Sequence, residues 1–217
     1  MSRPNARHVF LNCPFDDGYR PLLRAMQFTV LACGCFPRCA LEEDNAAEVR
    51  VGKIMRLIRD ECLLGIHDIS RTECDGDPPL PRFNMPFELG LHLGRSWSSR
   101  SPDRSARILI LDKERYRYQR YISDISGQDI RSHGGTAHGL IAAVRSWLNS
   151  QVKGNGVIGT AAIQKSFDLF LEESGRMLTA SQLSEDDLSF ATWSDYMFGW
   201  LQVASRKQAS VCPLCGK

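Results

Sequence analysis

The chain has 217 residues, 43% hydrophobic and 24% charged, enough for one well-buried core and a small appendage but short of two full domains. Its 27 Lys and Arg against 25 Asp and Glu leave a net charge of +2, which implies neither a nucleic-acid partner nor an anionic membrane surface. No apolar run reaches the roughly 18 to 20 residues that span a bilayer, and residues 1–7 lack the apolar region of a secretion signal, so a cytoplasmic protein with no membrane partner is expected.

His8–Cys13 is a β-rich run ended by Pro14, and Asp16-Asp17-Gly18 makes a turn into a helix over Tyr19–Cys33. Leu22, Leu23, Met26, Val30 and Cys33 recur there at helical spacing, with Pro21 suited to the first turn and Gly34 to the stop. Cys35–Leu41 reads as a second strand, followed by the acidic stretch Glu42–Asn45. Val51–Cys62 is amphipathic, with Ile54, Leu57, Ile58 and Cys62 on one face, and predicts a second helix. Leu63–Ser70 is almost continuously apolar, as suits a central parallel strand buried on both faces, with Asp68 near its end. Residues 71–84, rich in Pro, Asp and Gly, predict a loop, and Pro86–Arg95 a third helix with Glu88 in its first turn. Ser96–Arg107 reads as a surface linker, Ala106–Asp112 as a fourth strand and Asp124–Gly139 as turns. Ala137–Leu148, Phe167–Leu178, Ser184–Ala191 and Trp193–Ala204 read as helices.

Strands alternating with amphipathic helices predict an α/β fold: a Rossmann-like (flavodoxin-like) parallel sheet flanked by helices, with a mostly helical C-terminal extension. The expected division is an α/β domain over residues 1–150 and a helical extension over 151–217 that ends in Cys212-Pro-Leu-Cys215. The eight cysteines read as reduced thiols, with Cys13, Cys33, Cys35, Cys39 and Cys62 as small buried hydrophobes.

In such a sheet, ligands bind beyond the carboxyl ends of the strands. Here those ends gather Asn12, Pro14, Phe15 and Asp16 after the first strand, Arg38 and Glu42 at the second, Asp68 and Ser70 at the third, and Asn84, Met85 and Glu88 before and in the next helix. Glu88 lies in the apolar segment MPFELGLHLG. It reads either as a carboxylate steadied by the helix dipole, or as a group in an apolar pocket facing positive charge that develops on a glycosidic carbon. Asp68 reads as a contact to a ligand hydroxyl such as ribose, or as a loop cap. Arg38 reads as a phosphate contact or as an ion pair with Glu42 and Glu43.

The segments VFLNCPFDDGY at 9–19, GIHDIS at 65–70 and FNMPFELGLHLG at 83–94 resemble the superfamily that joins nucleoside 2-deoxyribosyltransferases with TIR and TIR-like domains. The resemblance runs from the first strand to Asp112, roughly half the chain. It implies that Glu88 is the catalytic carboxylate, that Asp68 contacts sugar or base, and that Asn12, Pro14 and Phe15 belong to the substrate loop. With Asp16, Arg38, Asn84 and Met85 these make the candidate substrate site. Arg82, Asn84 and Met85 occupy the stretch where deoxyribosyltransferases carry an Asp, and Met85 the place of a Cys in TIR enzymes, which points away from deoxyribosyl transfer.

The expected function is therefore an N-glycosidic-bond hydrolase or transferase acting on NAD or on a nucleoside or nucleotide. The alternative is a non-catalytic nucleotide-binding signalling module whose C-terminal helices contact a protein partner or a second copy of the chain. No cofactor is expected, NAD entering only as substrate. Cys212 and Cys215 form half of a zinc knuckle, and a structural zinc site needs two further ligands, so zinc is not expected. His133, in the run His133-Gly-Gly-Thr136, reads as a loop residue or as an acid/base group in a lid. His67 reads as a packed core histidine, and Trp193, Tyr196, Trp200 and Leu201 as core or an oligomer interface rather than a base-stacking platform.

Overall fold

Five parallel strands form one sheet in the order β2-β1-β3-β6-β7, from β1 (Asn5–Asn12), β2 (Phe36–Arg38), β3 (Cys62–Asp68), β6 (Arg107–Asp112) and β7 (Ile130–Ser132). The computed structural model that shows this describes residues 4–42, 45–72, 74–75, 80–98, 105–152 and 158–210. Two short strands outside the sheet, β4 (Cys74–Asp75) and β5 (Leu80–Pro81), pair antiparallel. The helices are α1 (Arg20–Ala32), α2 (Arg50–Arg56), α3 (Asn84–Ser98), α4 (Ala137–Gln151), α5 (Thr160–Ala180) and α6 (Phe190–Ser210). The chain leaves β1 for β2 on one side and then returns to β3 on the other. The order thus reverses between β1 and β3, and a doubly wound sheet opens a crevice at the carboxyl ends of those two strands.

Each face of the sheet is covered by helices. Val9, Leu11, Leu64, Ile66, Leu109 and Leu111 point to the face packed by α1 and α4. Phe10 packs with Ile54 of α2 and with Ile58 just after it on the other face, where Ile110 meets Leu89 and Leu93 of α3. β3 is buried at every position, as a strand between two helical layers must be. Strand period then assigns the polar residues: Asn12 and His67 are register partners and share the α3 face, while Asp68 turns to the α1 face.

The C-terminal helices share the α1-face core. The Phe28 ring of α1 lies 5.4 Å from both Phe167 and Phe170 of α5 and 5.9 Å from Trp200 of α6. The Arg24 guanidinium stacks 4.3 Å over Trp193. Gln27 donates to Phe190 O at 3.2 Å and to Ser194 Oγ at 3.0 Å. Trp193 is buried, and Tyr196, Trp200 and Leu201 are partly buried against the same core.

Several segments differ from the sequence reading, among them residues 71–84, read as a loop, which hold the paired strands β4 and β5. The second helix ends in a π-helical turn over Leu57–Glu61, which delivers the chain into β3. α3 begins at Asn84 and runs to Ser98, so Ser96 is helical and donates to Ala106 O instead of opening a linker. The turn-rich stretch after β6 holds β7, whose three residues are too few and too polar to show a strand pattern. Ser184–Ala191 is not a helix of its own: a 3-10 turn over Glu185–Asp187, closed by reciprocal Ser184 and Asp187 bonds, leads into α6. No helix among the described residues is long and apolar enough to cross a membrane.

Candidate functional site

On the α1 face, Asp68 is fully buried and fully used. Its Oδ1 accepts from the backbone N–H of Ser70 at 2.8 Å, and its Oδ2 accepts from the hydroxyl of Tyr19, the residue before α1. His133 Nε2 stands 3.1 Å from the same Oδ2, off the line of a well-formed hydrogen bond. Gly135 N–H donates to His133 Nδ1 at 3.1 Å, which leaves Nε2 as the ring nitrogen facing Asp68. Burial alone would raise the Asp68 carboxyl, but His133, Ser70 and Tyr19 together hold it below its ordinary value. The residue ties the end of β3 to the start of α1 and to the loop before α4.

On the α3 face, a chain of buried polar groups starts from one backbone carbonyl. Asn12 Nδ2 donates to Met85 O at 2.8 Å, so that atom is nitrogen, and its second hydrogen meets His67 Nδ1 at 2.9 Å. His67 must therefore accept at Nδ1 and carry its proton on Nε2, which donates to His92 Nδ1 at 2.9 Å. Both imidazoles are neutral in this arrangement. Burial pushes His67 well down, and burial with Arg95 nearby pushes His92 down to about 3. The ring of His92 fits against β3 only because Gly65 has no side chain: a Cβ there would lie 2.5 Å from His92 Cε1. The network fastens the first turn of α3 to the tips of β1 and β3.

Glu88 sits one turn before His92 on the same buried stripe, with Met85, Leu89 and Leu93. Because α3 begins at Asn84, Glu88 is its fifth residue rather than part of the first turn, which weakens the dipole reading. Only 7% of the residue is exposed, and it makes no hydrogen bond or ion pair with any described residue. Burial pushes its carboxyl up to about 7, against a smaller opposing pull from Arg50 at the start of α2. The charges of Asp68, Glu88 and Asp16 all reach the buried Cys13 thiol at the tip of β1, which burial and these carboxylates raise well above the usual range.

The other candidates are distributed unevenly. Pro14 is buried and Phe15 half-buried in the loop after β1. Asp16 accepts from Tyr19 N–H at 3.2 Å and faces Arg71 at 3.4 Å and Arg82 at 3.7 Å. Arg38 binds Glu42 at 2.6 Å and Glu61 at 2.9 Å, so its guanidinium already has two carboxylate partners. Asn84 is exposed, while Met85 is buried and offers its carbonyl to Asn12. Cys212 and Cys215 lie outside the described residues. Among the described residues no group of three His, Cys, Asp or Glu side chains is placed to hold a metal.

The parts that sequence reasoning missed are His92, Gly65 and Tyr19. One signal was present: Glu88 and His92 are four residues apart, hence on one face of a helix. The fold and the site together define a doubly wound α/β protein with its polar groups at the switch point. The sequence matches no protein-family model and no curated protein.

Proposed function

We propose that the protein binds a nucleoside or nucleotide, NAD included, at the β1/β3 switch point and cleaves or transfers at its N-glycosidic bond through Glu88. The observation that carries this reading is Glu88 itself, a buried carboxyl without a described partner whose pKa is pushed up to about 7. A carboxylate held in apolar surroundings gains most when a positive charge grows beside it. The sugar carbon acquires such charge as its bond to the base breaks and the base leaves with the electron pair. Water or an acceptor hydroxyl then adds to that carbon and loses its proton. Asn12, fixed by Met85 O and His67, supplies an amide oxygen at the same tip, while Asp68 positions the opposite wall from beneath.

The test is the full chain incubated with NAD, nucleosides and 5′-nucleotides, with released base followed by chromatography. Wild-type protein should release a base from at least one of them, and Glu88→Gln should abolish that release while its circular dichroism stays native. Release by neither protein, or equal release by both, would overturn the proposal. One observation favours a second reading, ligand binding without turnover: Asp68 is sealed, so the crevice lacks the second open carboxylate of the usual glycosidase pair. Mass spectrometry that recovers the bound ligand intact would support that reading.

A further inference from the structure

The face of α3 turned away from the sheet is apolar and exposed. Phe83, Phe87 and Trp97 are 68%, 54% and 72% exposed, and Gly90 and Gly94 lie exposed between them. These five positions follow one another at intervals of four and three residues, so they form a single stripe along the helix. Phe83 O accepts from Phe87 N–H at 2.9 Å, which starts the stripe at the first turn. From Phe83 to Gly94 the only ionisable side chains, Glu88 and His92, are buried, so the outer face carries no charge for about three turns.

The two glycines add an independent sign of a partner. A glycine inside a helix lowers its stability relative to alanine. No described atom lies within 4 Å of a Cβ placed at Gly90 or Gly94, so the described residues give no reason for a bare backbone there. Gly65 is the contrast, since its missing Cβ admits His92. Bare backbone flanked by exposed aromatic rings is a surface on which a second helix can come close.

The spacing selects the occupant. Gly90 with Gly94, and Phe87 with Trp97, are both centred on the level of residue 92. A second α3 laid antiparallel about a two-fold axis at that level sets Gly90 against Gly94 of the partner subunit and Phe87 against Trp97 of the partner subunit, the self-complementary pattern of an isologous interface. Each helix then brings its positive N-terminal end beside a negative C-terminal end. The three rings expose roughly 400 Å² per copy, at about 150–250 Å² for a whole aromatic side chain. Two copies thus supply roughly 800 Å² of the about 1,200 Å² at which stable interfaces begin, and the bared backbone, Asn84 and Ser98 supply the rest. We infer that the chain forms a two-fold dimer through antiparallel α3 helices. The seam runs along the helix that bears Glu88, and the contact needs nothing from the glycosidic reading.

Analytical ultracentrifugation of the full chain from about 1 to 100 μM tests this. A reversible monomer–dimer equilibrium is expected. Gly94→Gln, whose new side chain meets no described atom in the monomer, should keep a native circular dichroism spectrum and weaken the dimer about tenfold or more. Phe87→Lys and Trp97→Glu should each weaken it to a similar degree. The two substitutions together should restore it, because the introduced charges meet only across the axis and stand about 15 Å apart along one helix. A chain monomeric throughout, a dimer indifferent to Gly94→Gln, or no recovery in the double variant would overturn the proposal. Glu88→Gln should dimerise like wild type, so failure to dimerise and failure to release base are separate results.

Discussion

Gly65→Ala is the sharpest probe of the polar chain that anchors α3. The added methyl carbon would sit 2.5 Å from His92 Cε1, 2.7 Å from His92 Nδ1 and 3.3 Å from His67 Nε2. Backbone holds the methyl, and the imidazole ring packs against Phe10 at 6.1 Å, so the ring must leave its place between His67 and the strand. Overpacking of this kind costs about 1–3 kcal/mol. The displaced ring also leaves the buried His67 Nε2–H unmet, about 1–3 kcal/mol more. A total near 4 kcal/mol should lower the melting temperature by roughly 8–16 °C at this chain length. The assay is chemical and thermal denaturation of Gly65→Ala, His92→Ala and the double variant. His92→Ala makes room for the methyl, so the double variant should lose at least about 1 kcal/mol less than the two single losses combined. Additivity within about 0.5 kcal/mol, or a Gly65→Ala protein as stable as wild type, would refute the packing argument.

Glu88 lowers stability at neutral pH: its rise from 4.5 to about 7 means that stability is full below about pH 4.5 and is lost as pH climbs to about 7, a difference of about 3 kcal/mol. Glu88→Gln should therefore be more stable than wild type at pH 8, up to that amount, and should flatten this window in denaturation midpoints measured from pH 4 to 8. Asp68→Asn should cost roughly 3 kcal/mol or more in urea denaturation, because an amide has one acceptor oxygen for the donors that now meet two. Asp68 is held below its ordinary value, so its contribution is present above that value and lost as pH falls through the lowered one; the variant should lack this acid limb. A chain ended after Gln151 should lose its cooperative transition, since Phe167, Phe170, Trp193 and Met197 cover the α1 face, and Phe170→Ala in the full chain should cost about 3–5 kcal/mol. If Glu88 acts as the carboxylate, kcat/KM for base release should rise through about pH 7 and then level off; a bell-shaped profile would assign an additional acid.

The sheet was readable because its strands have strong local signals. HVFLNC, LLGIHDIS and ARILILD carry the apolar runs that two-sided burial demands, and each precedes or follows a helix with clear periodicity. β7 escaped because Ile130–Ser132 is an edge strand of three half-buried residues, which burial does not force to be apolar. The candidate site was legible as a rim and not as two faces. Asn12, Asp68 and Glu88 were grouped by their positions at strand and helix ends, yet Asp68 follows His67 directly in β3. Period-2 alternation therefore sends it to the opposite side from Asn12. The identity of each side chain's partner was out of reach. That Tyr19 meets Asp68 across 49 positions, or that Gly65 makes room for His92, is a product of crossover geometry that no local pattern encodes.

The contrast between the two buried carboxyl groups is what the proposed function turns on. Burial penalises the charged form of both, yet the chain surrounds Asp68 with donors and leaves Glu88 with none among the described residues. If neutralising buried charge were the only constraint, an apolar residue at position 88 would join Met85, Leu89 and Leu93 on their stripe with no penalty. Asn12, His67 and His92 instead spend buried polar groups on fixing the helix turn just before that carboxyl. Rigid placement around an unsatisfied acid is what a group needs if it is to meet charge that appears only during a reaction. Pairs of carboxyls whose surroundings push their pKa values apart recur where one holds structure or charge and the other handles the chemistry. On the proposed reading Asp68 takes the first role and Glu88 the second, since Glu88 has no donor among the described residues.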